Sequence, residues 1–222
     1  MTSTPTPPAP TSLFDALAPL RLPPDLRLTP EQFERVCAEN REAVLELDAD
    51  GGLITMTPAS SETSSRNSAL LYQLERFARS SGGWKVFESS AGFRLPDGSV
   101  RSPDASLLRL ERWQALSPAE RRSFAPLCPD LVVELASPSD EGPRGVSALR
   151  QKMAAYQANG ARLGWLLLPH ERAVEVWGPA HQEARNQEAN QEEPRRLEQA
   201  ATLEGGAEFP GLFLNLEEIW AG

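Results

Sequence analysis

A chain of 222 residues, 40% of them hydrophobic, is long enough for one domain with a sizeable core and hardly long enough for two. With 22 basic against 31 acidic residues the net charge is −9, which argues against a protein that coats nucleic acid non-specifically. A local basic groove and a bound cation can still offset that total. No apolar run approaches the roughly 18 residues that span a bilayer, and no basic stretch precedes an apolar one at the N-terminus. Cys37 and Cys128 are isolated and lack metal-ligand spacing. Together these features lead us to expect a cytoplasmic protein with reduced thiols and no membrane partner.

Residues 1–28 are rich in Pro, Thr and Ser and are expected to be a disordered or irregular tail, leaving 29–222 as a single domain. Thr29-Pro30-Glu31-Gln32 reads as a cap and first turn of a helix running to about Asn40. Val44–Leu47 and Leu53–Met56 flank Asp48-Ala49-Asp50-Gly51-Gly52, a strong hairpin signal. After the polar run Pro58–Ser65, the spacing of Leu70, Leu71, Leu74, Phe77 and Ala78 predicts an amphipathic helix to about Ser80, closed by Gly82-Gly83. Trp84–Ser89 and Gly92–Leu95 read as two short strands or one bent strand, and Pro96-Asp97-Gly98 turns into a strand over Val100–Leu110. Glu111–Phe124 reads as helical, with Ser117-Pro118 capping a second short helix. Leu131–Ala136 is an apolar run interrupted by Glu134, as a strand buried on both faces would be. A helix over Val146–Asn159, a buried strand at Leu163–Leu168 and a hairpin partner at Ala173–Trp177 follow. Residues 179–196 read as a polar loop insertion, and a short helix through Trp220 ends the chain. The order of elements predicts a mixed α/β layer with a β-rich N-terminal extension.

Two acids and one lysine stand out. Asp104, after Ser102-Pro103, reads either as a turn or cap residue or as a metal ligand. Glu134 lies inside Leu131–Ala136, where an unpaired carboxylate costs several kcal/mol of desolvation, so a cation or a buried basic partner must compensate. The chain has 20 arginines but only two lysines, Lys85 and Lys152. Lys152 thus keeps a compact ammonium where composition favours guanidinium. Helical spacing sets it one turn from Tyr156, pointing either toward Glu134 or to water.

The segments Arg101–Asp104, Pro129–Leu135, Ser137–Asp140, Lys152-Met153 with Tyr156, and Gly160–Leu166 together resemble the bacterial Uma-two family of restriction-endonuclease-like proteins, in the PD-(D/E)XK nuclease superfamily. Upstream, the Asp50-Gly51 hairpin with Met56, Glu62 with Asn67, and Gly92–Leu95 continue the resemblance. It extends to Pro210–Leu212 and Ile219-Trp220, covering about residues 28–222. The resemblance implies a restriction-endonuclease-like mixed β-sheet core flanked by helices. It also implies Mg²⁺-dependent hydrolysis of DNA, with Mn²⁺ as a possible substitute and a homodimer as the working unit. Asp104 and Glu134 would be metal ligands, joined by the backbone carbonyl of Leu135. The lysine expected two residues after Glu134 is Ala136, so the resemblance assigns its role to Lys152. Glu62 matches an acid of the family and would be auxiliary, although a helix N-terminus also favours an acid there.

Asp130 and Asp140 read as turn and cap residues, and Gln151 as a weak candidate. His170 and His181 stand away from the acids, which disfavours a zinc site or a catalytic triad. No glycine loop matches a nucleotide fingerprint, so no organic cofactor is expected. Arg109, Arg112, Arg121 and Arg122 around Trp113 read as a solvated helix face or a DNA-facing surface. The alternative to an enzyme is a non-catalytic nucleic-acid-binding or interaction module on a nuclease scaffold, which Ala136 and the acidic total favour.

Overall fold

The computed structural model describes residues 23, 25–56, 59–140, 142–178 and 194–222. Most of the expected N-terminal tail (1–22 and 24) and of the polar insertion (179–193, with His181) lies outside them. Helix α1 (Pro30–Glu39) starts as its sequence predicts: Thr29 and Gln32 form a reciprocal capping box with Pro30 in the first turn. Strands β1 (Leu45–Leu47) and β2 (Leu53–Thr55) pair as the hairpin. Gly51 sits in its turn at φ 82°, where a Cβ would lie 2.6 Å from the Leu28 carbonyl oxygen. Helix α2 (Ser61–Ser81) is capped by Ser60 and ends at Gly82.

Beyond α2 come β3 (Trp84–Glu88), β4 (Phe93–Arg94), β5 (Val100–Arg101), β6 (Ala105–Arg109) and α3 (Leu110–Ala115). Then follow β7 (Leu131–Leu135), α4 (Pro143–Ala158), β8 (Leu163–Leu168), β9 (Ala173–Trp177) and β10 (Arg195–Leu197). The chain closes with the ribbon β11 (Thr202–Glu204) and β12 (Phe213–Asn215), and with α5 (Leu216–Trp220). A six-stranded sheet in the order β10-β9-β8-β7-β6-β3 carries the core, and β2-β1-β5-β4 form a smaller one. In the large sheet β7 and β8 are parallel and joined through α4, while the other neighbours are antiparallel.

Alternation along the strands divides the core. Leu107, Leu131, Val133, Leu135, Trp165 and Leu167 pack with Leu70, Leu74 and Phe77 of α2 and with α5. Leu108, Val132, Leu166 and Leu168 face the other way, onto Met153 and Tyr156 of α4. A third cluster, Phe33, Leu45, Leu47 and Val100, joins α1 to the small sheet. This is the mixed α/β architecture that the sequence predicts, including its β-rich N-terminal part.

One expectation is corrected and one open alternative is decided. The strand expected over Val100–Leu110 is two strands in two sheets, broken at Ser102-Pro103-Asp104. Pro103 has no N–H to give to a ladder, the Ser102 N–H goes to Glu46, and the Asp104 carboxylate takes the Leu135 N–H. Trp84–Glu88 and Phe93–Arg94 also fall in separate sheets, so they are two strands. The break at Ser102–Asp104 positions the candidate site.

Candidate active site

Strands β6 and β7 run antiparallel with Ala105 opposite Val133. One step further along that register Asp104 falls opposite Glu134, on the face shared by Ser106 and Val132. The Leu135 N–H donates to Asp104 Oδ2 at 2.7 Å, which fixes the carboxylate at the strand end. Helix α4 packs on this face and delivers Lys152 and Tyr156, one turn apart.

The open question about Lys152 is resolved inward: the residue is only 9% exposed. Its Nζ lies 2.9 Å from Glu134 Oε1 and 2.8 Å from Glu46 Oε1, and donates to the Ser102 carbonyl at 3.1 Å. Three acceptors thus match the three hydrogens of the ammonium. Tyr156 donates its hydroxyl to Glu134 Oε1 at 3.1 Å. Glu46 also accepts from the Ser102 N–H at 2.8 Å and from Arg101 at 3.2 Å.

Burial dominates the electrostatics. Glu134 is pushed up to about 8 by loss of water, with Lys152 pulling down and Asp104 and Glu46 pushing further up. Burial likewise raises Asp104, against the Leu135 N–H and Lys152. For Lys152 burial works against the charged form, but Glu134 and Glu46 more than reverse it, so the ammonium persists.

These residues fit a hard divalent cation. Asp104 Oδ1 and Glu134 Oε2 have no hydrogen-bond partner among the described residues, whereas the other oxygen of each is engaged. Paired oxygen donors suit Mg²⁺, which commonly takes one or two carboxylates and retains waters. Among the described residues no three His, Cys, Asp or Glu side chains converge as a ligand cluster. The donor set offered is the carboxylate pair.

Other candidates lie outside this cluster. Glu62, in the first turn of α2, is more than half exposed and ion-paired with Arg66 at 2.6 Å. It lines a cavity of about 180 Å³ with Ala136, Ser137, Asp140 and His170. Asp140 caps its turn as expected, accepting from Ser137 N–H and Oγ. Asp130 is more than a turn residue: it is buried, accepts the Arg109 N–H at 2.8 Å and pairs with Arg112 at 2.9 Å. Gln151 and His170 are exposed. Arg109 stacks over Trp84, and Arg121 donates to the carbonyls of Trp113 and Gln114, so both have structural partners. Sequence reasoning missed two buried acids. Glu175 is held by Arg150 and Arg196 two strands from Glu134, and Glu46 joins the site itself. A charge between Leu45 and Leu47 was the available sign for Glu46, but alternation reads it as solvent-facing.

A sequence model of the Uma2 family, described as "Putative restriction endonuclease", matches residues 30–217. Among solved structures, a protein of Anabaena variabilis described as a putative nuclease belonging to DUF820 matches with a TM-score of 0.64. It is 17% identical, and the match covers 87% of this chain and 98% of that one, so the two share a fold. No curated protein matches the chain. The family match includes the whole Glu46, Asp104, Glu134 and Lys152 cluster and spans most of the sequence. The chain belongs to the Uma2 family.

Proposed function

We propose that the chain is a divalent-metal-dependent endonuclease that hydrolyses phosphodiester bonds in DNA. One observation carries this reading. Lys152, although it comes from α4 and not from the strand of Glu134, reaches that carboxylate at 2.9 Å beside Asp104. This proximity supports reading Lys152 as the lysine of the acid–acid–lysine set that Ala136 interrupts in sequence. Membership in a family described as "Putative restriction endonuclease" supports the same reading.

In this proposal Asp104 and Glu134, with the Leu135 carbonyl, hold Mg²⁺, for which Mn²⁺ can substitute. When bound, the cation supplies an activated water and polarisation of the phosphate. Lys152 holds a fixed positive charge next to the acids, where it can orient the nucleophile or stabilise charge developing at phosphorus. Tyr156 and the Leu135 N–H keep the two carboxylates in place. Glu62 enters this proposal only as an auxiliary acid, since its side chain is ion-paired with Arg66 rather than joined to the cluster. A twofold pair of chains, each cutting one strand, belongs to the same proposal and is checked by light scattering.

The test is calorimetry with Mg²⁺ and Mn²⁺ on the wild type, Asp104→Asn and Glu134→Gln, followed by cleavage of supercoiled plasmid. Stoichiometric binding in the wild type, lost in both variants together with cleavage, is the expected result. No binding at millimolar metal with an oligonucleotide present overturns it. Ala136 favours a second reading, a nucleic-acid-binding module without catalysis, and DNA binding with no metal-dependent cleavage would select it.

A further inference from the structure

We propose that Glu46 is a positioning residue that keeps Lys152 in the catalytic cluster while Glu134 serves as a metal ligand. This rests on the reading of Asp104 and Glu134 as the metal pair. In the structure the Lys152 ammonium divides itself between Glu46 at 2.8 Å and Glu134 at 2.9 Å. A carboxylate shared with a cation holds an ammonium less strongly, and the cation itself repels it. A lysine on a flexible four-carbon stem then needs a second anchor to remain in place.

Glu46 has the qualities of such an anchor. It is 1% exposed, and it makes no hydrogen bond to Asp104. Its own orientation is fixed by Arg101 at 3.2 Å and by the Ser102 N–H at 2.8 Å. Those two residues lead directly into Asp104, and the Ser102 carbonyl is the third acceptor for Lys152. Glu46 therefore ties the lysine to the stretch of backbone that presents the first acid. A lysine two residues beyond Glu134 on the same strand would be placed by the strand. One arriving from a helix needs this external tether.

The experiment uses the fact that the chain has only two lysines, Lys85 and Lys152. Amine acylation followed by peptide mass spectrometry reads Lys152 against Lys85 as internal reference, with and without Mn²⁺. Calorimetry on the same samples reports metal binding. Wild-type Lys152 is expected to stay protected in both conditions. In Glu46→Gln it is expected to stay protected without metal, held by Glu134. With metal it should be acylated at least about tenfold faster, the scale of losing a hydrogen bond between charged groups. Glu46→Asp keeps the charge and should fall between the two, and it carries the test if Glu46→Gln does not fold. A lysine that merely stabilises the fold would show no dependence on metal. Metal binding in both variants with Lys152 still protected overturns the role of Glu46 alone. Absence of metal binding in the wild type overturns the metal site and this role together.

Discussion

Tyr156 donates its hydroxyl to Glu134 Oε1 at 3.1 Å, the same oxygen that Lys152 approaches at 2.9 Å from one turn earlier on α4. Both donors are buried, so neither can be replaced by water without rearrangement. Tyr156→Phe removes the hydroxyl and keeps the ring that packs on Val132 and Leu166. A cost of about 1–3 kcal/mol is expected, that of leaving a buried hydrogen-bond partner unsatisfied. Urea unfolding of the two proteins checks it, and an unchanged midpoint would show that the contact contributes nothing.

Lys152→Met keeps an unbranched apolar stem but leaves Glu46 and Glu134 buried without their shared cation. Removing one partner of a buried pair costs about 3–5 kcal/mol, and the loss should be of that size at neutral pH. Glu134→Gln replaces a buried carboxyl, pushed up to about 8 by loss of water, with a neutral group of the same shape. Its melting temperature without metal is therefore expected at or above that of the wild type. A large fall would mean that the Glu134 charge is fully compensated by Lys152 alone.

Ala136 stands two residues after Glu134, at the edge of the cavity of about 180 Å³ that Ser137 and Asp140 also line. A lysine side chain has room there. Under the proposed function Lys152→Met loses metal-dependent nicking, and adding Ala136→Lys to it should restore part of that activity. A folded double variant with no recovery would show that the lysine must approach from the helix.

The local parts of this molecule were legible in its sequence. Turn chemistry at Asp48–Gly52 specifies the first hairpin, capping residues and apolar spacing specify α2, and the run Leu131–Ala136 marks a strand covered on both faces. Glu134 was legible as a candidate because an acid in an apolar run needs a partner, and the family resemblance pointed to Asp104 and Lys152 beside it. What could not be read was pairing over long separations. Glu46 meets Arg101 across 55 residues and Ser102 across 56, and nothing near Glu46 announces either contact. The same holds for the division of Val100–Leu110 between two sheets. Pro103 signals an interruption, but the destination of each half is set by tertiary pairing. Asp130 read as a turn residue because its partner Arg112 lies on a separate helix.

Asp97 links the turn before β5 to the end of α4. It accepts from Ser99 Oγ at 2.7 Å, Ser99 N–H at 2.9 Å and Asn159 Nδ2 at 2.8 Å. Burial alone would raise its pKa, but these hydrogen bonds outweigh it and hold the carboxyl below its ordinary value. A depressed folded value means that the contribution is fully present above about pH 4 and is lost as pH falls through the folded value. The stability gap between wild type and Asp97→Asn should therefore be constant near neutrality and close below about pH 4. Chemical denaturation across that range checks it, and a gap that widens toward acid would refute the assignment.

Cys128 is buried, and its thiol is pushed up to about 12 by loss of water, although Arg112 pulls the other way. Cys37 is only partly buried, with burial and Glu34 raising it more mildly. Iodoacetamide at pH 8 should modify Cys37 slowly and leave Cys128 intact until the protein is denatured. Intact-mass measurement before and after denaturation gives one adduct, then two. Modification of Cys128 in the native protein would show that this region opens.

The break at Ser102-Pro103-Asp104 also bears on when the site comes into being. The Ser102 backbone must meet Glu46 56 residues earlier and Lys152 50 residues later. Long loops of this kind close late, because their entropy is lost before their contacts compensate. A partly synthesised chain ending before α4 holds both acids and lacks the ammonium, and a collapsed large sheet without β1 holds the ammonium by one carboxylate. Under the proposed assignment, DNA-cutting capacity is confined to the fully assembled protein, so that maturation of the fold itself acts as the safeguard.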